Sequence, residues 1–183
     1  VSEPQGDAGA DMARFVAERL RDVPDFPQPG ILFKDIVPLL GDGPSFSAVI
    51  HGLCDFARSV WPVDLVAGVE ARGFVIASAM AQELGCGMLP VRKAGKLPPP
   101  VLRRAYSLEY GTAEVEVPAG ILAGRRVFLV DDVLATGGTL EAAAELLIEA
   151  GAELAGIATL LELGFLAGRQ RVTAAPVRTL LML

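Results

Sequence analysis

A chain of 183 residues, 52% hydrophobic and 21% charged, is long and apolar enough to build one sizeable core, which excludes a disordered chain. Sixteen basic against 22 acidic residues leave a net charge of −6, at odds with the basic face of a general nucleic-acid binder. One histidine and two cysteines exclude a multi-histidine metal site and a disulfide framework, and argue against a Ser-His-Asp triad.

Val1 to Asp11 is small, polar and acidic, with neither the basic nor the apolar stretch of a secretory leader. Glu141, Glu145, Glu149, Glu153 and Glu162 interrupt the apolar C-terminal half, so no run of about 20 apolar residues spans a membrane. The expectation is a cytoplasmic protein. Asp11 is expected to cap a short helix with Met12, Phe15, Val16 and Leu20 on its apolar side. Val23 to Pro29 reads as an ordered loop, since Pro24, Pro27 and Pro29 bar a regular helix. Ser45 is expected to cap a second helix that Pro62 stops, with His51 off its apolar stripe and solvated. Cys54 and Cys86 read as buried, reduced thiols. Val63 to Val69 has the make-up of a buried strand, Gly73 to Leu84 of a helix ended by Gly85, and Met88 to Val91 of another strand. Lys93 to Pro100 reads as a basic loop. Tyr106 to Tyr110 and Thr112 to Val117 read as strands joined at Gly111, with Glu114 and Glu116 on a wet face. Val127 to Val130 predicts a buried strand and Thr139 to Ala150 a helix whose Glu141, Glu145 and Glu149 form a solvated stripe. Leu154 to Leu161 and Val177 to Leu181 complete an alternation of strands and helices. That alternation predicts an α/β fold with a mainly parallel central sheet flanked by helices.

The run Val127-Phe128-Leu129-Val130-Asp131-Asp132-Val133-Leu134-Ala135-Thr136-Gly137-Gly138-Thr139 carries the most chemistry. An apolar strand is expected to end in two carboxylates, followed by a loop of small residues and a helix. Ligands in open α/β sheets bind at the carboxyl ends of strands, and a helix N-terminus suits a phosphate. Ala135, Gly137 and Gly138 let a phosphate approach the backbone, and Thr136 and Thr139 offer hydroxyl donors. Asp131 and Asp132 would repel a phosphate and instead suit a vicinal diol. Phosphate on one side and diol on the other describe a ribose 5-phosphate.

The same thirteen residues resemble the 5-phosphoribosyl-1-pyrophosphate (PRPP) motif of the type I phosphoribosyltransferases. Four further segments resemble the adenine-using members of that family, in the family's order. They are Pro24 to Ile36, Ala67 to Phe74, Val91 to Pro98 and Tyr106 to Gly111. The resemblance implies the type I phosphoribosyltransferase fold over a single domain, 1–183, with an N-terminal helix and base-binding hood at about 1–35 and a flexible loop. It implies that Leu32, Phe33 and Lys34 bind adenine, Phe33 by stacking and Leu32 through its backbone. It implies that Arg72, Arg92, Lys93 and Lys96 bind pyrophosphate, with Arg92 reaching across a dimer interface, and that the Glu70–Ala71 peptide is cis. Asp131, Asp132, Ala135, Thr136, Gly137, Gly138 and Thr139 would hold the ribose 5-phosphate of PRPP. Glu109 and Arg72 would be catalytic, Glu109 by assisting loss of the proton from the purine. All three lysines, Lys34, Lys93 and Lys96, fall inside these segments, against 13 arginines overall.

The function implied is purine salvage: PRPP and adenine give AMP and pyrophosphate, in a homodimer. No protein cage for a metal is visible, so Mg2+ would arrive on the pyrophosphate of PRPP. Two alternatives remain open at this point. One is transfer to another purine, and the other is a PRPP- or nucleotide-sensing regulator without catalysis.

Overall fold

The computed structural model describes residues 5–107 and 111–183. Helix α1 spans Gln5–Ala17 and is followed by a two-stranded antiparallel hairpin, β1 (Arg21–Pro24) with β2 (Leu32–Asp35). Two helices follow, α2 (Val37–Gly41) and α3 (Gly43–Ser59), then β3 (Leu65–Val69), α4 (Arg72–Leu84) and β4 (Gly87–Lys93). Strands β5 (Val101–Ser107) and β6 (Thr112–Pro118) precede β7 (Arg126–Leu134), α5 (Gly138–Glu149), β8 (Glu153–Glu162) and β9 (Val177–Met182). The main sheet has seven strands in the order β5-β6-β4-β3-β7-β8-β9. Strands β4, β3, β7, β8 and β9 run parallel, and β5 and β6 add an antiparallel edge.

The central strands are apolar at consecutive positions because both their faces are covered. Val66, Phe128, Val130, Ala158 and Leu160 pack with Val49, Leu53, Ile76 and Met80 of α3 and α4 on one face. Ala67, Leu129 and Ile157 pack with Leu140, Ala143 and Leu147 of α5 on the other. Strands β3 and β7 are adjacent, yet the helices that leave them pack on opposite faces. Their carboxyl ends therefore open a crevice at the point where the winding of the sheet reverses, which is where α/β sheets take ligands.

Several local expectations change. Asp11 lies inside α1 and pairs with Arg14 at 2.8 Å rather than capping it. The cap of α3 is Asp42, whose carboxylate accepts from the Ser45 N–H at 3.0 Å. Val23 and Pro24, read as loop, form part of β1. Strand β5 begins at Val101, well before Tyr106. Strand β7 does not end at its two aspartates: Val133 and Leu134 continue the ladder against Leu161 and Glu162 of β8. The acidic stripe of α5 is engaged rather than merely solvated, since Arg104 of β5 reaches Glu145 at 2.7 Å and Glu149 at 2.9 Å. His51 is exposed and Cys54 is buried, as expected, while Cys86 is only half-buried. Burial pushes the Cys54 thiol up to about 12, which makes it inert.

Candidate active site

The strand-to-helix junction from β7 to α5 forms one wall of a cavity of about 480 Å³. Asp131, Asp132 and every residue from Val133 to Leu140 line it, joined by Glu70 and Ala71 after β3, by Arg72 at the start of α4 and by Lys93 at the end of β4. Gly137 stands just before α5 with φ +81, and no side chain caps the helix. The loop thus presents N–H groups and a positive dipole end to the cavity. The loop rests on a second glycine. A Cβ at Gly168 would lie 1.9 Å from the Ala135 carbonyl oxygen, and one at Gly137 would lie 2.4 Å from the Gly168 oxygen. Gly168 opens a short 3-10 turn, Gly168–Gln170, whose Arg169 is anchored on the buried Glu162 through Nε at 3.0 Å.

Asp131 and Asp132 are both buried. Burial, reinforced by the Asp132 charge, holds the Asp131 carboxyl well above the usual carboxylate range. Its Oδ1 accepts from the Asp132 N–H at 2.8 Å. Asp132 Oδ2 accepts from Nε of Arg72 at 2.5 Å. The Arg72 side chain is about half exposed, and its two terminal nitrogens have no protein partner among the described residues.

A second cavity, of about 640 Å³, lies on the other side of Arg72. The β1–β2 hairpin supplies Leu32, Phe33 and Lys34, and Val133, Leu161, Leu163, Phe165, Leu166 and Leu183 face them. Arg72, Asp132 and Val133 line both cavities, so the two meet at the Arg72–Asp132 pair. Phe33 is braced edge-on by Phe26, with ring centres 5.2 Å apart. The hairpin is tied at its root by Arg21 and Asp35 at 2.6 Å. Lys34 lies in the cavity wall with its ammonium on Asp22 at 2.7 Å. Opposite Leu32 in the hairpin stands Pro24, which has no N–H for the Leu32 carbonyl.

Of the basic cluster, Lys93 lines the first cavity, whereas Arg92 and Lys96 stand outside its wall. Arg92 reaches Glu70 at 3.3 Å and donates to the Lys96 carbonyl at 3.1 Å. Glu70 also accepts from the Lys93 N–H at 3.0 Å. That backbone bond, together with the Arg92 guanidinium, holds the Glu70 carboxyl below its ordinary value against the effect of burial. The Glu70–Ala71 peptide is cis, as the resemblance implies. Glu109 lies outside the described residues. Among the described residues, no three His, Cys, Asp or Glu side chains converge as they would to cage a metal. Sequence reasoning did not pick out Leu163, Phe165, Leu166 or Gly168. They follow β8, in a segment with no motif of its own, and only the return of the chain past β7 brings them to the site.

A carboxylate pair beside a glycine-bearing helix N-terminus without a side-chain cap, joined to an apolar cavity, is an arrangement suited to a phosphorylated sugar on one side and a flat ring on the other. The family model "phosphoribosyl transferase domain" matches residues 41–179. An adenine phosphoribosyltransferase of Clavibacter michiganensis subsp. michiganensis is 58% identical over 92% of this chain and 95% of its own length. That of Salinispora tropica is 52% identical over 97% and 94%. The crystal structure of the Rhodothermus marinus adenine phosphoribosyltransferase matches with a TM-score of 0.88 and 43% identity, covering 95% of this chain and 99% of that one. The Saccharomyces cerevisiae enzyme, solved with adenine and an imino-altritol bisphosphate, matches with a TM-score of 0.88 at 39% identity over 94% and 99%. The chain belongs to the phosphoribosyltransferase family, within its adenine phosphoribosyltransferase branch.

Proposed function

We infer that the chain transfers the 5-phosphoribosyl group of PRPP to adenine, giving AMP and pyrophosphate. The observation that carries this reading is the meeting of the two cavities at the Arg72–Asp132 pair. A ribose held there has its phosphate toward the loop and its C1 toward the apolar cavity. The relatives of the adenine branch support the same reading.

In this reading Ala135, Thr136, Gly137, Gly138 and Thr139 take the 5-phosphate, and Asp131 and Asp132 accept from the ribose hydroxyls. Phe33 stacks on adenine and Leu32 reads its edge through the backbone, with Lys34 beside it. Arg72 and Lys93 face the pyrophosphate, supported by Arg92 and Lys96 on the flanking turn. The bond from C1 to the pyrophosphate oxygen breaks, the bond from adenine N9 to C1 forms with inversion, and Glu109 assists loss of the N9 proton. Charge develops at C1 and on the leaving pyrophosphate, so fixed charges contribute more than a nucleophile. Arg72 and Lys93 face the same anion that Mg2+ would accompany, and the ion, if brought in with PRPP, would supply further neutralisation of the leaving charge. The unit is one domain, 1–183, with its hood at about 1–35, acting in the cytoplasm as a homodimer. Incubation with PRPP, Mg2+ and adenine should yield AMP and pyrophosphate in equal amounts. Absence of AMP under these conditions would overturn the reading.

A further inference from the structure

Glu116 is the one fully buried carboxylate among the described residues. Strand β6 places it opposite Arg92 of β4 and Arg103 of β5. The alternation of the strand predicts a wet side chain, but the turn after β4 folds over it. Its Oε1 accepts from the N–H groups of Lys96 and Leu97, both at 2.6 Å, and its Oε2 accepts from Nε of Arg103 at 3.0 Å. Burial pushes the carboxyl up, but the backbone N–H groups and the Arg103 guanidinium outweigh it and bring it down to about 2. Glu116 is therefore ionised throughout the range in which an enzyme works.

The turn it holds is the one that carries the cationic residues. Glu70 fastens the same turn from the other side, through Arg92 and the Lys93 N–H. Lys93 thus projects into the first cavity from a segment clamped at both ends, by Glu70 at Lys93 and by Glu116 at Lys96 and Leu97. A cation that must meet a leaving anion gains most from being held in place beforehand. We propose that Glu116 is a positioning residue that fixes the Arg92–Leu97 turn so that Lys93 meets the pyrophosphate end of PRPP. The proposal rests on the transferase reading given above.

The test is the purified Glu116→Gln variant. Glutamine keeps the shape and one acceptor, but its amide nitrogen faces Arg103 and the charge is gone. KM for PRPP and the inhibition constant of pyrophosphate should each rise about tenfold, the loss expected for one charge-assisted bond. The dissociation constant of AMP, which has no pyrophosphate, should stay within about twofold. Glu114→Gln, an exposed neighbour on the same strand, should change none of the three. If Glu116→Gln does not fold, Arg103→Gln is measured in the same way and the same split decides. Unchanged KM for PRPP, or equal losses for pyrophosphate and AMP, would overturn the proposal. Wild-type protein that forms no AMP would overturn the transferase reading itself, which keeps the two failures distinct.

Discussion

Asp131 and Asp132 are adjacent carboxylates with different surroundings. Asp132 has the Arg72 guanidinium, while Asp131 has a buried site and a like charge beside it. A carboxyl whose folded value is raised favours the folded state at low pH, and that advantage is lost as pH rises from about 3.8 toward the folded value. At neutral pH the ligand-free protein therefore carries a destabilising group, kept at the place where a ribose hydroxyl would be bound. Asp131→Asn removes the charge and still accepts from the Asp132 N–H. Thermal melts at pH 7 should show the ligand-free variant about 2–4 °C more stable, the shift of about 1 kcal/mol in a chain of this size. Calorimetry should show AMP binding at least about tenfold weaker, for loss of one charge-assisted bond. A variant less stable than the parent would remove the electrostatic argument. Both aspartates were legible in the sequence because two acids after an apolar run are unusual. Glu116 was not, because β-strand alternation reports side, and a side can be covered by a distant turn.

The loop between β7 and α5 is an element whose shape depends on one that follows far along the chain. Ala135 and Gly137 rest on Gly168, where the backbones leave no room for a side chain. Gly168→Ala should push the loop out of place. Misplacement on the order of 1 Å can cost about 10²-fold in turnover, so kcat/KM for PRPP should fall by at least about tenfold, while binding of adenine alone stays within about twofold. Steady-state kinetics with PRPP and calorimetry with adenine check this; equal losses for both would mean general collapse rather than loop displacement. The loop itself was legible from its glycines and threonines, but its support was not, since nothing local to Gly168 points to it. The β1–β2 hairpin was missed for a different reason. Its strands have four residues each and carry Pro24, too short to show a period. Leu32 and Phe33, singled out by their motif, nevertheless line the second cavity.

At the scale of the molecule, the alternation of strands and helices was enough to read a mainly parallel sheet, because fully buried strands are apolar without interruption. The order of the strands was not readable, nor was the crevice between β3 and β7 that joins the two cavities. Net charge gave a broad exclusion only. The chain is acidic overall at −6, yet Arg72 and Lys93 line the first cavity, a local cationic patch that net charge does not reveal. The transferase reading stands or falls on whether the second cavity accepts adenine. Adenine and hypoxanthine differ at the 6-position and in the protonation of N1, so a backbone edge that pairs with one opposes the other. Each buried polar group left unpaired costs about 1–3 kcal/mol, and about 1.4 kcal/mol is tenfold. The deciding measurement is kcat/KM for the two purines with PRPP and Mg2+ held saturating: adenine should be preferred on the order of 10²-fold or more, and comparable values for the two bases would overturn the assignment of the second cavity to adenine.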